Sequence, residues 1–215
     1  MIAIVDYGVG NLRSVQKALE RVGAMAVVSA DPATLDAAQG IVLPGVGAFG
    51  DGMAQLQTRH LVEPVLRQVA QDKPLLGICL GMQLLFDESE EMGLHQGLGL
   101  LPGRVVRFPE GDLKVPHIGW NQLHLASARP EMEILSGIAP GAHAYFVHSY
   151  YVVPAEPADV LATTDYGLEF AAVVGRDRVW GAQFHPEKSQ EVGLQLLANF
   201  WRLVQAGGGP PGSGT

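Results

Sequence analysis

The chain has a single cysteine, and its neighbours give it a chemical setting. Cys79 lies in Gly77-Ile78-Cys79-Leu80-Gly81, between the apolar run 74–78 and a helical pattern over about 82–87. A nucleophile raised on a sharp turn from a strand into a helix has this form, here with Cys in place of Ser. Glycines on both flanks keep side chains off the neighbouring backbone, and a helix N-terminus near the sulfur favours the thiolate. Taken alone, the segment is equally a buried cysteine in a glycine-flanked turn.

A second segment, Phe184-His185-Pro186-Glu187, follows another apolar run. Pro186 biases His185 toward extended backbone, so residues two apart project to one side and Glu187 can hold the imidazole in one tautomer. Thiol, base and orienting carboxylate make up the parts of nucleophilic acyl chemistry. Both segments end strands expected in one open α/β sheet, which is where such sheets bind ligands. Acyl transfer also needs donors for an oxyanion. The N–H of Leu80 is one candidate, and the loop 44–50, with Gly45-Val46-Gly47, has the backbone freedom to supply another.

The elements that must position these groups are legible in outline. Residues 2–6 form a short apolar run, and Leu12, Val15, Leu19 and Val22 follow at helical spacing. Strands at 24–29, 41–43 and 74–78 alternate with helical stretches up to about Asp72, which predicts βαβ units and a parallel sheet. From Gly103 to about Phe184 the pattern turns strand-rich, with runs at 105–108, 144–147, 170–174 and 179–184 and a hairpin connection over 175–178. An amphipathic helix over about 190–205 closes the pattern. The expected fold is α/β: an open, largely parallel doubly wound sheet with flanking helices and an antiparallel, strand-rich second half. Residues 1–206 are expected to form a single domain, and the Gly/Pro-rich tail 207–215 to be disordered.

Composition narrows the function classes. The formal net charge is -8 and no basic run occurs, which disfavours nucleic-acid binding. No apolar stretch reaches the roughly 20 residues of a membrane helix, and Asp6 interrupts the N-terminus too early for a signal peptide. One cysteine excludes an intrachain disulfide and a multi-cysteine metal site. A cytoplasmic location is expected. Gly8-Val9-Gly10 tempts a dinucleotide reading, but Arg13 replaces the third glycine of that fingerprint. His117, His124, His143 and His148 follow no zinc spacing and read as hydrogen-bonded or edge residues. Glu88, Glu90 and Glu91 read as a solvated helix end.

Pro-Gly-Val-Gly at 44–47, Gly-Ile-Cys-Leu-Gly-Met-Gln at 77–83 and His-Pro-Glu-Lys-Ser at 185–189 resemble the class I, triad glutamine amidotransferases. More narrowly, residues 6–12, 116–121 and 145–150 are similar to the glutaminase subunits of imidazole glycerol phosphate synthases. The similarity runs from residue 1 to about 204. It implies that Cys79 is the nucleophile, His185 the general base and acid, and Glu187 its orienting residue, with Val46 and Leu80 donating to the oxyanion. It implies further that Gln83 and Glu91 hold glutamine with Gly47, Ser149 and Tyr150 nearby, and that Trp120 and Lys188 lie at a subunit interface near the exit for ammonia. The fold, the glutaminase activity, the absence of a cofactor and a (β/α)₈ cyclase partner in a heterodimer are what this resemblance leads one to expect. Only a helix and a tail follow Glu187, so the ammonia-using synthase is expected on another polypeptide. Three rivals remain: a glutaminase serving another synthase, a stand-alone γ-glutamyl hydrolase, and an inactive regulatory subunit. The setting of Trp120 disfavours the first and the intact triad disfavours the last.

Overall fold

A computed structural model describes residues 1–111, 113–127 and 130–207; of the tail expected over 207–215, only Gly207 is among them. The first half alternates as its periodicity predicts: β1 (Ile2–Val5), α1 (Leu12–Arg21), β2 (Ala26–Ser29), α2 (Pro32–Ala37), β3 (Gly40–Leu43), α3 (Phe49–Thr58), α4 (Val62–Ala70), β4 (Leu75–Ile78) and α5 (Leu80–Leu84). Asp31 caps α2 by accepting the Ala33 N–H, with Pro32 in the first turn, where its missing N–H costs nothing. The strands β1, β3 and β4 are buried at every position, which is why they read as unbroken apolar runs.

Period-two alternation assigns each strand's side chains to two cores. Ile2 and Ile4 of β1 join one cluster with Leu197 and Phe200; Ala3 and Val5 join another with Phe49, Leu56 and Val65. Helices therefore cover both faces of the sheet, and truncating a Leu in either layer to Ala should cost about 2–5 kcal/mol.

The second half comprises β5 (Phe86–Ser89), β6 (His95–Gln96), β7 (Leu101–Arg107), β8 (His117–Gln122), β9 (His124–Leu125), β10 (His143–His148), β11 (Tyr150–Pro154), β12 (Val160–Asp165), β13 (Glu169–Arg176), β14 (Val179–Ala182) and α6 (Gln190–Ala206). The main sheet runs β2-β1-β3-β4-β14-β13-β12-β9. Its first five strands are parallel, and β13, β12 and β9 extend it antiparallel. The hairpin connection is shorter than expected, since Arg176 pairs with Val179 and leaves only Asp177 and Arg178 in the turn.

The remaining strands form two further sheets, β11-β7-β5-β6 and the antiparallel ribbon β10-β8. Trp120, outside the strand runs read from the sequence, stands on β8 opposite Tyr145 of β10. The segment after the elbow also differs: α5 ends at Leu84, and Asp87 and Glu88 belong to β5, not to a helix end.

One register fixes the site. Because β14 lies parallel beside β4, Ala182 pairs with Ile78 and the two chain segments that follow leave the sheet side by side. Those segments begin at Gln183 and at Cys79.

Candidate active site

At the end of β4 the backbone of Cys79 takes φ 53° and ψ −109°. A non-glycine residue held there stores about 1–3 kcal/mol of strain and persists only when its surroundings fix it. Here they do: the Cys79 N–H donates to the Ala182 carbonyl at 2.8 Å, and its carbonyl accepts the Gln83 N–H. The flanking glycines are obligatory on distance. A Cβ on Gly77 would lie 2.7 Å from backbone atoms of Gly81, and one on Gly81 would lie 1.8 Å from the Leu43 oxygen. Helix α5 starts at Leu80, two residues before the helical pattern of the sequence, and with only five residues it gives the thiol little N-terminal dipole.

His185 leaves β14 in extended backbone, φ −96° and ψ 101°, and Pro186–Lys188 then form a 3-10 turn. That turn, rather than continued extension, carries Glu187 back to the ring. Its Oε1 is 2.9 Å from Nδ1 of His185, with both side chains almost fully buried. The backbone is held too: the His185 N–H donates to the Tyr145 carbonyl, and the Ser189 hydroxyl donates to the His185 carbonyl at 2.7 Å. With Nδ1 committed, Nε2 is buried and meets no hydrogen-bond partner among the described residues. Burial disfavours the imidazolium, but the Cys79 sulfur and the Glu187 carboxylate favour it more, and the pKa is pushed up to about 9. A ring protonated on Nε2 can deliver that proton to a leaving group.

The loop after β3 is pressed against the elbow. The Tyr7 hydroxyl donates to the Pro44 carbonyl at 2.5 Å, and a Cβ on Gly45 would lie 2.3 Å from that hydroxyl and 2.9 Å from Cβ of Leu80. Gly47, at φ 101°, turns the chain away, and a side chain there would be strained. Leu80 opens α5, where an N–H has no intrahelical acceptor.

A cavity of about 340 Å³ joins these groups. Its wall includes Val46, Gly47, Cys79, Leu80, Gln83 and Glu91, and across from them Ser149, Tyr150, His185 and Lys188. Glu187 lies behind His185. Trp120 is outside the wall on the ribbon's outer face, 47% exposed beside Ile118 at 60%. Lys188 joins the two regions: its Nζ stands 5.8 Å from the centre of the Tyr145 ring, and Tyr145 packs edge-on against Trp120. Glu91 is partly engaged, its Oε2 accepting the Phe49 N–H at 2.7 Å. No group of three metal-ligating side chains occurs among the described residues.

The profile of the family described as Glutamine amidotransferase class-I matches residues 3–203. The chain belongs to this family. Within these amidotransferases, a Syntrophotalea carbinolica protein named imidazole glycerol phosphate synthase subunit HisH is 58% identical, over 93% of this chain and 98% of its own. A Geobacter sulfurreducens protein of the same name is 53% identical, over 94% of this chain and 98% of its own. Among solved structures, a glutamine amidotransferase matches with a TM-score of 0.74 at 20% identity, covering 95% of this chain and 98% of that one. The structure of PurLQS from Thermotoga maritima matches with 0.71 at 20% identity, covering 95% and 97%. These structures share the class-I amidotransferase fold.

Gln183 belongs to none of the sequence motifs. It is fully buried, follows β14, and its Nε2 lies 3.8 Å from the Cys79 sulfur. An amide between an apolar strand and His185 is a signal, because a buried polar side chain needs partners. Tyr7 and Ser189 likewise have no role legible in the sequence; each holds a loop of the site through its hydroxyl.

Proposed function

We propose that this chain is the glutaminase subunit of an imidazole glycerol phosphate synthase, supplying ammonia to a cyclase subunit in histidine biosynthesis. The observation that carries the chemistry is His185: Glu187 accepts from its Nδ1, and its unbonded Nε2 is buried at the cavity that Cys79 lines. The choice of synthase rests on the relatives, whose shared name covers nearly the whole chain.

In this reading the Cys79 thiolate attacks the side-chain amide carbon of glutamine. The N–H groups of Leu80 and Val46 receive the oxyanion, and the proton on His185 Nε2 goes to the departing nitrogen, which leaves as ammonia. A γ-glutamyl thioester remains on Cys79. His185 then takes a proton from water as it attacks that carbonyl, and glutamate and the free thiol are restored. Gln83 and Glu91 hold the substrate, with Gly47, Ser149 and Tyr150 beside them. No step requires a metal or organic cofactor.

The exposed Ile118 and Trp120, continuous through Tyr145 and Lys188 with the cavity rim, suit a docking face for the (β/α)₈ cyclase. We take residues 1–206 as one folded unit working in the cytoplasm, and no described helix is long and apolar enough to cross a membrane. The test is glutamine hydrolysis by the purified chain, with and without the cyclase and its ribotide substrate. Slow turnover alone and a rise of about two orders of magnitude in the full complex are expected, the scale of one oxyanion donor brought into place. Fast turnover by the chain alone would favour a stand-alone hydrolase.

A further inference from the structure

Two buried histidines outside the triad connect the ribbon to the cavity. The rings of His117 on β8 and His148 on β10 meet with Nδ1 of the first 3.3 Å from Nε2 of the second. Proton positions along this line are set from both ends. At the outer end, Asn121 must turn Oδ1 to the Gln122 N–H at 2.8 Å and Nδ2 to the Asp165 carbonyl at 2.7 Å. Its remaining Nδ2 hydrogen then points to Nε2 of His117, 3.3 Å away, which must accept. His117 therefore carries its proton on Nδ1 and donates to His148 Nε2. At the inner end, His148 Nδ1 is 2.8 Å from the Tyr150 carbonyl, which can only accept, so His148 also carries its proton on Nδ1. The two assignments agree.

The same carbonyl receives a second donor. Nε2 of Gln83 lies 2.9 Å from the Tyr150 oxygen and 3.1 Å from Oε1 of Gln183. Both N–H groups of Gln83 are thus spent inside the protein. We infer that Asn121, His117 and His148 are positioning residues, which hold the Tyr150 carbonyl so that Gln83 offers the cavity its carbonyl oxygen and not its NH₂. The inference rests on the cavity being a glutamine site. Glutamine brings an α-ammonium, which can only donate, and an amide NH₂, which donates too; against either nitrogen a reversed Gln83 would set donor against donor.

The surroundings keep this line neutral and fixed. The His117 ring stacks on Phe146 and on Tyr166, with centroids 5.1 and 4.1 Å away. Phe108 and Phe170 pack around His148. Burial draws the pKa of His117 down to about 4 and that of His148 to about 3.

The test begins with long-range ¹H–¹⁵N correlation on the folded chain at pH 7. Both rings should be neutral and protonated on Nδ1, and a proton on Nε2 of either, or a charged ring, overturns the assignment. In the complex with the cyclase, His148→Leu should raise KM for glutamine about tenfold, the scale of one lost hydrogen bond, with kcat little changed. His148→Asn, which keeps a donor near the Nδ1 position, should recover most of that loss. Equal KM in wild type and both variants overturns the role in binding. If His148→Leu does not fold, Asn121→Leu is used, and it should give mixed tautomers at His117 and a raised KM. An unchanged tautomer and KM in that variant likewise overturns it. A wild-type complex that forms no glutamate refutes the glutamine site itself, separately from the tautomers.

Discussion

Cys79 sits on strained backbone, and its sulfur accepts a 3.8 Å contact from Gln183 Nε2, which a serine hydroxyl can also accept, so Ser fits at small structural cost. Cys79→Ser should abolish glutamine-dependent synthesis by the complex and leave synthesis from an added ammonium salt intact. Equal loss of both, in a folded complex, would make the residue structural. His185 links the triad to pH. Its pKa is raised from 6.5 to about 9 on folding, so its contribution to stability is complete below about 6.5 and is lost as pH rises through about 9. Melting temperature should therefore fall over that interval, and fall less in Glu187→Gln; parallel curves would count against the coupling. Cys79 and His185 were legible because the signal is local, a few residues whose turn chemistry is written in Gly77, Gly81 and Pro186. The pairing of His117 with His148 was not, since it forms across two strands and 31 positions. Gln183 was visible only as a polar residue in an apolar run, and its partner could not be named before β14 was known to adjoin β4.

Loops and ribbons decide how these residues are used. Gly45 is needed because Tyr7 and Leu80 crowd the place where a side chain would be. Gly45→Ala should push Val46 away from Leu80 and lower kcat/KM for glutamine about a hundredfold or more, with ammonia-dependent synthesis retained. Full glutaminase activity would mean that the loop supplies no oxyanion donor. On the β8–β10 ribbon, Trp120 is half-exposed and plugs no core. Trp120→Ala should shift the melting temperature of the free chain by only a few degrees, yet weaken binding of the cyclase at least about tenfold. A much earlier melt with normal pairing would reverse that assignment. In the first half β1, β3 and β4 were legible because burial on both faces leaves an apolar run, and the helices because one face repeats at helical spacing. The second half was legible as strands but not as sheets. Which strand joins the main sheet, the ribbon or the third sheet depends on partners distant in sequence. Trp120 was not legible as a strand residue because Gly119, at φ 143°, interrupts the alternation that marks a strand.

At the scale of the molecule, the parallel strands all present their C-terminal ends to one side, and there lie the elbow, the His185 turn and the cavity. The opposite side is built differently. Arg178, just before β14, donates to the Leu203 carbonyl at 2.9 Å and so ties down the last turn of α6. Gly207 lies so close to that guanidinium that a Cβ would be 2.1 Å from it. The chain therefore emerges from α6 beside the start of β14, at the end of the parallel strands opposite the cavity. A linker, fluorophore or solid support attached beyond that point would leave the cavity mouth clear, which makes this end the natural handle for anchoring the chain in a sensor that reports ammonia release.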